Sequence, residues 1–128
     1  MHLMIGRVLV VEDDDATRRL MEDSLTEAGF DVVSASHGGE ALRMLNREVP
    51  DLIVLDLMLP WINGIEVLAT VRQQPELARV PVLVATGTVM SAFDLRGYAP
   101  VSVLHKPIDV DTLVGTVNGL LSRPKDLR

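Results

Sequence analysis

The stretch Pro50–Pro60, Pro-Asp-Leu-Ile-Val-Leu-Asp-Leu-Met-Leu-Pro, restricts the possible folds more than any other part of the chain. Leu52 to Leu55 form a short unbroken apolar run between two prolines. Such a run fits a strand buried on both faces of a parallel sheet better than it fits a helix. Asp56 closes the run. Desolvating a carboxylate without a partner costs several kcal/mol, so Asp56 belongs where the strand emerges, near water, a cation or a donor. Taken alone it reads equally well as a turn or cap residue, and only the other acids decide between the two.

Similar runs recur along the chain. Arg7 to Val11 reads as a first strand, followed directly by Glu12, Asp13, Asp14 and Asp15. A helix is expected from about Ala16 to Ala28, with Ala16, Leu20, Leu25 and Ala28 inward and Gly29 as its stop. Asp14 or Asp15 serves as its N-cap, which leaves Glu12 and Asp13 unexplained. Asp31 to Ser36 is a second strand, and a helix follows from about Glu40 to Glu48 with Ala41, Leu42 and Leu45 inward. After the third strand, Trp61-Ile62-Asn63-Gly64 is a loop. Ile65 to Gln73 is then helical, with Ile65, Leu68 and Val71 on one face, and Pro75 ends it. Val80 to Thr86 is the fourth strand, Thr88 to Arg96 the weakest helical pattern, and Val101 to Leu104 the fifth strand. Lys106-Pro107 makes a turn, Asp109 caps, and Val110 to Leu121 is a helix with Leu113, Val117, Leu120 and Leu121 inward.

Five strands alternating with five helices predict an α/β fold, a doubly wound parallel sheet, because each right-handed crossover needs a helix to span it. With 128 residues and 48% hydrophobic content the chain supports one core, so a single domain over 1–128 is expected, core about 6–122 with a polar tail at 123–128. The absence of cysteine removes disulfides and thiolate metal sites and fits a cytoplasmic setting. No apolar run approaches the ~20 residues of a membrane span, and no signal-peptide layout opens the chain. A net charge of −6 argues against direct nucleic-acid binding, and 3% aromatics argue against stacking platforms.

In open sheets of order 2-1-3-4-5, ligands bind between the carboxyl ends of the first and third strands. Those ends carry Glu12-Asp13 and Asp56, acids more than 40 positions apart. At ~5 Å and an effective dielectric of ~20, each like-charged pair repels by roughly 3 kcal/mol, so a proton or a cation must be shared. A site of oxygen ligands without His or Cys suits Mg²⁺. Thr86 and Lys106 end the fourth and fifth strands at the same edge, supplying a hydroxyl and an ammonium. These are the groups a transferring phosphoryl needs, with Asp56 as the nucleophile. A mononucleotide or flavin site would instead want glycines after the first strand, where this chain has four acids. His37 and His105 read as surface residues.

Val-Leu-Val-Val-Glu-Asp-Asp, Asp-Leu-Ile-Val-Leu-Asp-Leu-Met-Leu-Pro with Asn-Gly-Ile-Glu-Val-Leu, Pro-Val-Leu-Val-Ala-Thr-Gly and Lys-Pro, in this order and spacing, resemble the receiver domain of two-component response regulators over essentially the whole chain. The resemblance implies a flavodoxin-like (β/α)5 fold of order 2-1-3-4-5 and a chemotaxis-regulator-like switch. It implies phosphorylation of Asp56 by a histidine kinase or phosphotransfer protein, with Mg²⁺ held by Glu12, Asp13, Asp56 and the backbone carbonyl of Met58. Thr86 and Lys106 would bind the phosphoryl group, and Lys106-Pro107 would be cis.

Two departures from the family pattern fall on one face. Val103 stands where the family places an aromatic three residues before the lysine, and the segment between Thr86 and Lys106 is short by about two residues. This is the face of the fourth helix, fifth strand and fifth helix, through which a downstream protein partner would be expected to read the state; a homodimer is left open. The expected activity is that of a phosphoryl acceptor with slow autodephosphorylation, not of a turnover enzyme. The rival readings are a non-phosphorylated receiver-like interaction module and a metal-dependent phosphohydrolase of small molecules.

Overall fold

The computed structural model describes residues 6–87, 90, 91 and 94–122. Five parallel strands, β1 (Arg7–Val11), β2 (Asp31–Ala35), β3 (Leu52–Asp56), β4 (Val82–Thr86) and β5 (Val101–His105), form one sheet in the order β2-β1-β3-β4-β5. This is the expected topology. The α-helices of the described residues are α1 (Asp15–Glu27), α2 (Gly38–Arg47), α3 (Gly64–Gln73) and α4 (Val110–Ser122).

Strand residues alternate between two cores because successive side chains point to opposite faces. Leu9, Val11, Ile53, Leu55, Val82 and Val84 join Ala41 and Leu45 of α2 and Val67, Leu68 and Val71 of α3. Val8, Val10, Leu52, Val54, Leu83 and Ala85 join Met21 and Leu25 of α1 and Leu113 and Val117 of α4. Burial on both faces explains why Val8–Val11, Leu52–Leu55 and Val82–Ala85 are apolar without interruption.

Two expectations are corrected. Ala16 and Leu20 face solvent, Leu20 with 47% exposure, and α1 buries Met21 and Leu25 instead. At 3.6 residues per turn Ala16 lies about 180° around the helix from Leu25, so the two cannot share a face. The helix expected over Thr88–Arg96 is also missing where it can be judged. Residues 88, 89, 92 and 93 lie outside the described set, and the described part of the β4–β5 connection holds only a 3₁₀ turn, Arg96–Tyr98. The fivefold strand–helix alternation is therefore broken once among the described residues. Leu42, Leu120 and Leu121 pack against the cores only partly buried. The expected tail at 123–128 lies outside the described residues.

The helix ends are set by local chemistry. Asp14 accepts from Thr17 N at 2.8 Å and caps α1, and Gly29 takes φ 103° just after its end. Asn63 and Glu66 form a reciprocal capping box on α3, and Asp109 accepts from Thr112 N at 2.9 Å ahead of α4. Gly64, the first residue of α3, is pressed against the end of β3: a Cβ there would lie 2.4 Å from both Asp56 O and Leu57 Cα. By contrast, a Cβ on Gly115 of α4 meets nothing within 4 Å. Gly64→Ala is expected to cost about 2–4 kcal/mol through backbone displacement. Gly115→Ala should gain about 0.5–1 kcal/mol from helix propensity. Urea unfolding of the two variants beside the parent measures both, and equal stabilities would refute the close approach at Gly64.

Candidate functional site

Sheet register builds the site. Val11 is paired with Leu55, so the next residues along, Glu12 and Asp56, emerge side by side at the carboxyl edge. Glu12 continues the ladder, its N–H donating to Ala35 O at 3.1 Å. Asp56 pairs with Ala85, which places Thr86 one residue beyond it on β4. Thr86 pairs with His105, and the Lys106 N–H donates to Thr86 O at 2.8 Å, carrying the lysine to the same edge.

Glu12, Asp13 and Asp56 each bring a carboxylate oxygen to within 4.8 Å of the others. Glu12 is 1% and Asp56 3% exposed, while Asp13 is open to solvent. Lys106 Nζ lies 2.7 Å from Glu12 Oε1 and 3.2 Å from Asp56 Oδ2. Asp56 Oδ1 accepts from the Met58 N–H at 2.9 Å, and Glu12 Oε2 from the Asp14 N–H at 3.1 Å. Lys106-Pro107 is cis, as is Ala99-Pro100.

The charges are only partly balanced. Burial pushes the Glu12 carboxyl above its usual range, outweighing the Lys106 and Asp14 contacts that favour the anion, and Asp56 adds repulsion. Burial also works against the Lys106 ammonium, but Glu12 and Asp56 together hold its pKa above the ordinary value. The 2.7 Å approach of Lys106 to Glu12 Oε1 is an ion pair by distance without hydrogen-bond alignment. That buried oxygen has no aligned donor. An all-oxygen cluster of three carboxylates facing one ammonium, with that buried oxygen met off-axis, fits a hard divalent cation.

The structure thus gathers Glu12, Asp13, Asp56 and Lys106, with Thr86 fully buried at the neighbouring strand end. Met58 sits in the loop after β3, its side chain 63% exposed. His105 is exposed, as expected. His37 does more than the sequence suggested: its Nδ1 accepts from the Glu40 N–H at 3.2 Å and caps α2, and its ring packs edge-on against Trp61 at 5.6 Å. Histidine is an uncommon cap, and only the His-Gly-Gly turn before a helical pattern hinted at it. Trp61 is 86% exposed with φ 64° in the loop after β3.

Glu12 gives up its proton less readily in the folded chain than at its ordinary 4.5. The folded state therefore holds more protons than the unfolded one just above that pH, and stability falls as pH rises through the window. In chelator, Glu12→Gln is expected to be more stable than the parent at pH 7 and equal to it near pH 4, by urea unfolding at the two pH values. A less stable variant at pH 7 would mean that the attraction of Lys106 exceeds the desolvation cost.

The family model for the response regulator receiver domain matches residues 8–118. The phosphate regulon transcriptional regulatory protein PhoB of Rhizobium meliloti is 35% identical over 124 residues, covering 95% of this chain and 55% of that protein. The chain thus spans about half the length of that relative. The polar-differentiation response regulator DivK of Brucella ovis is 29% identical, with 92% of this chain and 98% of DivK covered. Among solved structures, the Francisella response regulator 1452 receiver domain superposes with TM-score 0.84 at 30% identity, covering 92% of this chain and 98% of the other. Vibrio cholerae chemotaxis protein CheY4 superposes with TM-score 0.85 at 28% identity, covering 92% and 99%. Phosphorylation on an aspartate is the general function of these domains, and the chain, matched from β1 into α4, belongs to the response regulator receiver family of two-component signalling.

Proposed function

We propose that Asp56 is the phospho-acceptor of this receiver, that Glu12, Asp13, Asp56 and the Met58 carbonyl hold Mg²⁺, and that Thr86 and Lys106 bind the phosphoryl group. One observation carries the reading: the three carboxylates lie within 4.8 Å of one another, with the Lys106 ammonium against Glu12 and Asp56. Mg²⁺, when bound, supplies positive charge against the carboxylates and the phosphoryl oxygens.

In the transfer step a carboxylate oxygen of Asp56 attacks the phosphorus of a phosphohistidine on a histidine kinase or phosphotransfer protein. The new O–P bond forms as the P–N bond breaks, and its electron pair stays on the imidazole nitrogen, which takes up a proton. The Met58 N–H holds the attacking carboxylate in orientation, and Lys106 cancels charge on the equatorial oxygens with a donor from Thr86. Attack of water on the phosphorus later returns the carboxylate and releases inorganic phosphate. This slow self-hydrolysis is not turnover of an external substrate.

Moving a switch from 1:99 to 99:1 takes about 5 kcal/mol of differential stabilisation, within reach of a dianion gaining a metal and two donors. Output passes to a downstream protein through β5 and α4. Val103, half-buried against the α2–α3 core, occupies the place of the family's aromatic. No helix of the described residues is long and apolar enough to cross a membrane, and we place the protein in the cytoplasm. Residues 1–128 are read as a single domain.

Acetyl phosphate with Mg²⁺ is expected to add one phosphoryl group, seen by intact-protein mass spectrometry and blocked by chelator. Asp56→Asn should abolish the adduct, and Lys106→Met should slow its formation by at least about tenfold. No adduct with any small donor would leave a receiver-like docking module. Steady turnover of a phosphate ester would instead indicate a phosphohydrolase.

A further inference from the structure

Arg18 sits in the first turn of α1, where the helix dipole disfavours a cation. Four acids precede it, yet its guanidinium does not engage the carboxylates of the site. Its Nη1 donates to the backbone carbonyl of Glu12 at 2.9 Å and lies 3.5 Å from that of Asp13, while Nη2 donates to Asp15 Oδ1 at 2.6 Å. The side chain is only 20% exposed. Asp15, with its own side chain 87% exposed, serves to aim the fork.

The consequence lies in the peptide planes. After β1 the chain turns through Glu12, Asp13 and Asp14 before α1 begins, and other contacts bind this turn: Glu12 N to Ala35 O, Asp14 N to Glu12 Oε2, Arg18 N to Asp14 O at 2.8 Å, and the Thr17 N–H and hydroxyl to Asp14 Oδ2. None of these holds the carbonyls of Glu12 and Asp13. Arg18 does: its Nη1 holds the Glu12 carbonyl at 2.9 Å and reaches to within 3.5 Å of that of Asp13, tying down the turn from which the two carboxylates meet Asp56. A first-turn cation that breaks the local helix rule while joining backbone groups of two site residues is the kind of local conflict that accompanies function.

We propose that Arg18 is a positioning residue for the divalent-cation site, setting the Glu12–Asp13 peptides so that both side chains can serve one ion; this rests on the reading of the acidic cluster as a Mg²⁺ site. Charge and positioning make opposite predictions. As a charge alone, Arg18 repels the cation, and its removal tightens binding. As a positioning group, its removal loosens binding, by the 10–100-fold typical of residues that orient metal ligands.

Isothermal titration of the unphosphorylated protein with MgCl₂ decides between these, using Arg18→Met, which keeps the aliphatic stem, and Arg18→Gln, a neutral side chain that can still donate to a carbonyl. Arg18→Met is expected to raise the Mg²⁺ Kd at least about tenfold and Arg18→Gln to recover part of the loss. Acetyl phosphate labelling of Arg18→Met should be slow at low Mg²⁺ and return to the parent rate at saturating Mg²⁺. An unchanged or tighter Kd in Arg18→Met overturns the proposal, as does a labelling defect that saturating Mg²⁺ leaves in place. If Arg18→Met fails to fold, Arg18→Gln alone decides: a Kd at or below the parent's overturns the role, and a raised Kd with a parent-like melting curve in chelator supports it. Failure of the parent itself to bind Mg²⁺ would overturn both this role and the underlying reading of the site.

Discussion

The carboxylates at the edge between β1 and β3 repel one another, and the Lys106 ammonium is the cation that lies against two of them. The sheet order forces this arrangement. Strands β1 and β3 are neighbours, their registers bring Glu12 abreast of Asp56, and the lysine arrives from β5, two strands beyond β3. Burying Glu12 and Asp56 is unfavourable taken alone, and the pairing is incomplete, since Glu12 Oε1 keeps no aligned donor. On the reading proposed above, three carboxylates facing one ammonium would be balanced by a hard cation, and a phosphoryl group would then compete for the same lysine. Lys106 would thus change partner, from carboxylates in one state to phosphoryl oxygens in the other. A change of partner by one side chain is how a local modification biases two arrangements of the loops around it.

Most of the fold and of the site can be read from the residues, for one physical reason. Strands buried on both faces must be apolar throughout, so any charged residue at their ends stands out, and sheet topology alone says which ends meet. Leu52 to Asp56 is the clearest instance: all five residues are buried, and the only charged one is the proposed acceptor. Helices are less legible because a stripe is defined only relative to a partner. In α1, Ala16, Leu20 and Leu25 all looked suitable for the core, yet packing against β2 and α4 selects the face of Met21 and Leu25. His37 and Arg18 were illegible for another reason. Their partners are backbone groups, a Glu40 N–H and the carbonyls of Glu12 and Asp13, and sequence does not display backbone partners.

The β4–β5 connection has the same origin. Its described part lacks an α-helix, so its carbonyls need donors from elsewhere. Arg72 of α3 supplies two, donating through Nε to Tyr98 O at 2.6 Å and through Nη2 to Pro100 O at 2.7 Å, while its Nη1 donates to Leu77 O at 3.0 Å in the α3–β4 connection. Burial without a carboxylate partner lowers the guanidinium pKa from its usual value. In the sequence Arg72 is an ordinary basic residue in the last turn of a helix. In the structure it takes over part of the role of the missing helical hydrogen bonds and ties α3 to the start of β5.

Stability is therefore distributed unevenly around the proposed acceptor. On the β1–β3 side every strand residue of β3 is buried, Gly64 packs backbone against backbone, and α3 begins in a full capping box. On the other side none of the residues of β5 is fully buried, and the described part of the connection into it carries a short 3₁₀ turn whose far end is held by Arg72. Segments with few buried apolar contacts open at lower free energy than those at the core. A strain introduced at Asp56 would accordingly be relieved toward β5, not into β1 or β3. Lys106 stands at the junction of the two regions, with its backbone on the loosely held side and its ammonium against the rigid one. On the proposed reading, pulling the ammonium toward a phosphoryl group would move the end of β5 with it, because the Lys106 N–H is held on Thr86 O at the end of the β4–β5 ladder.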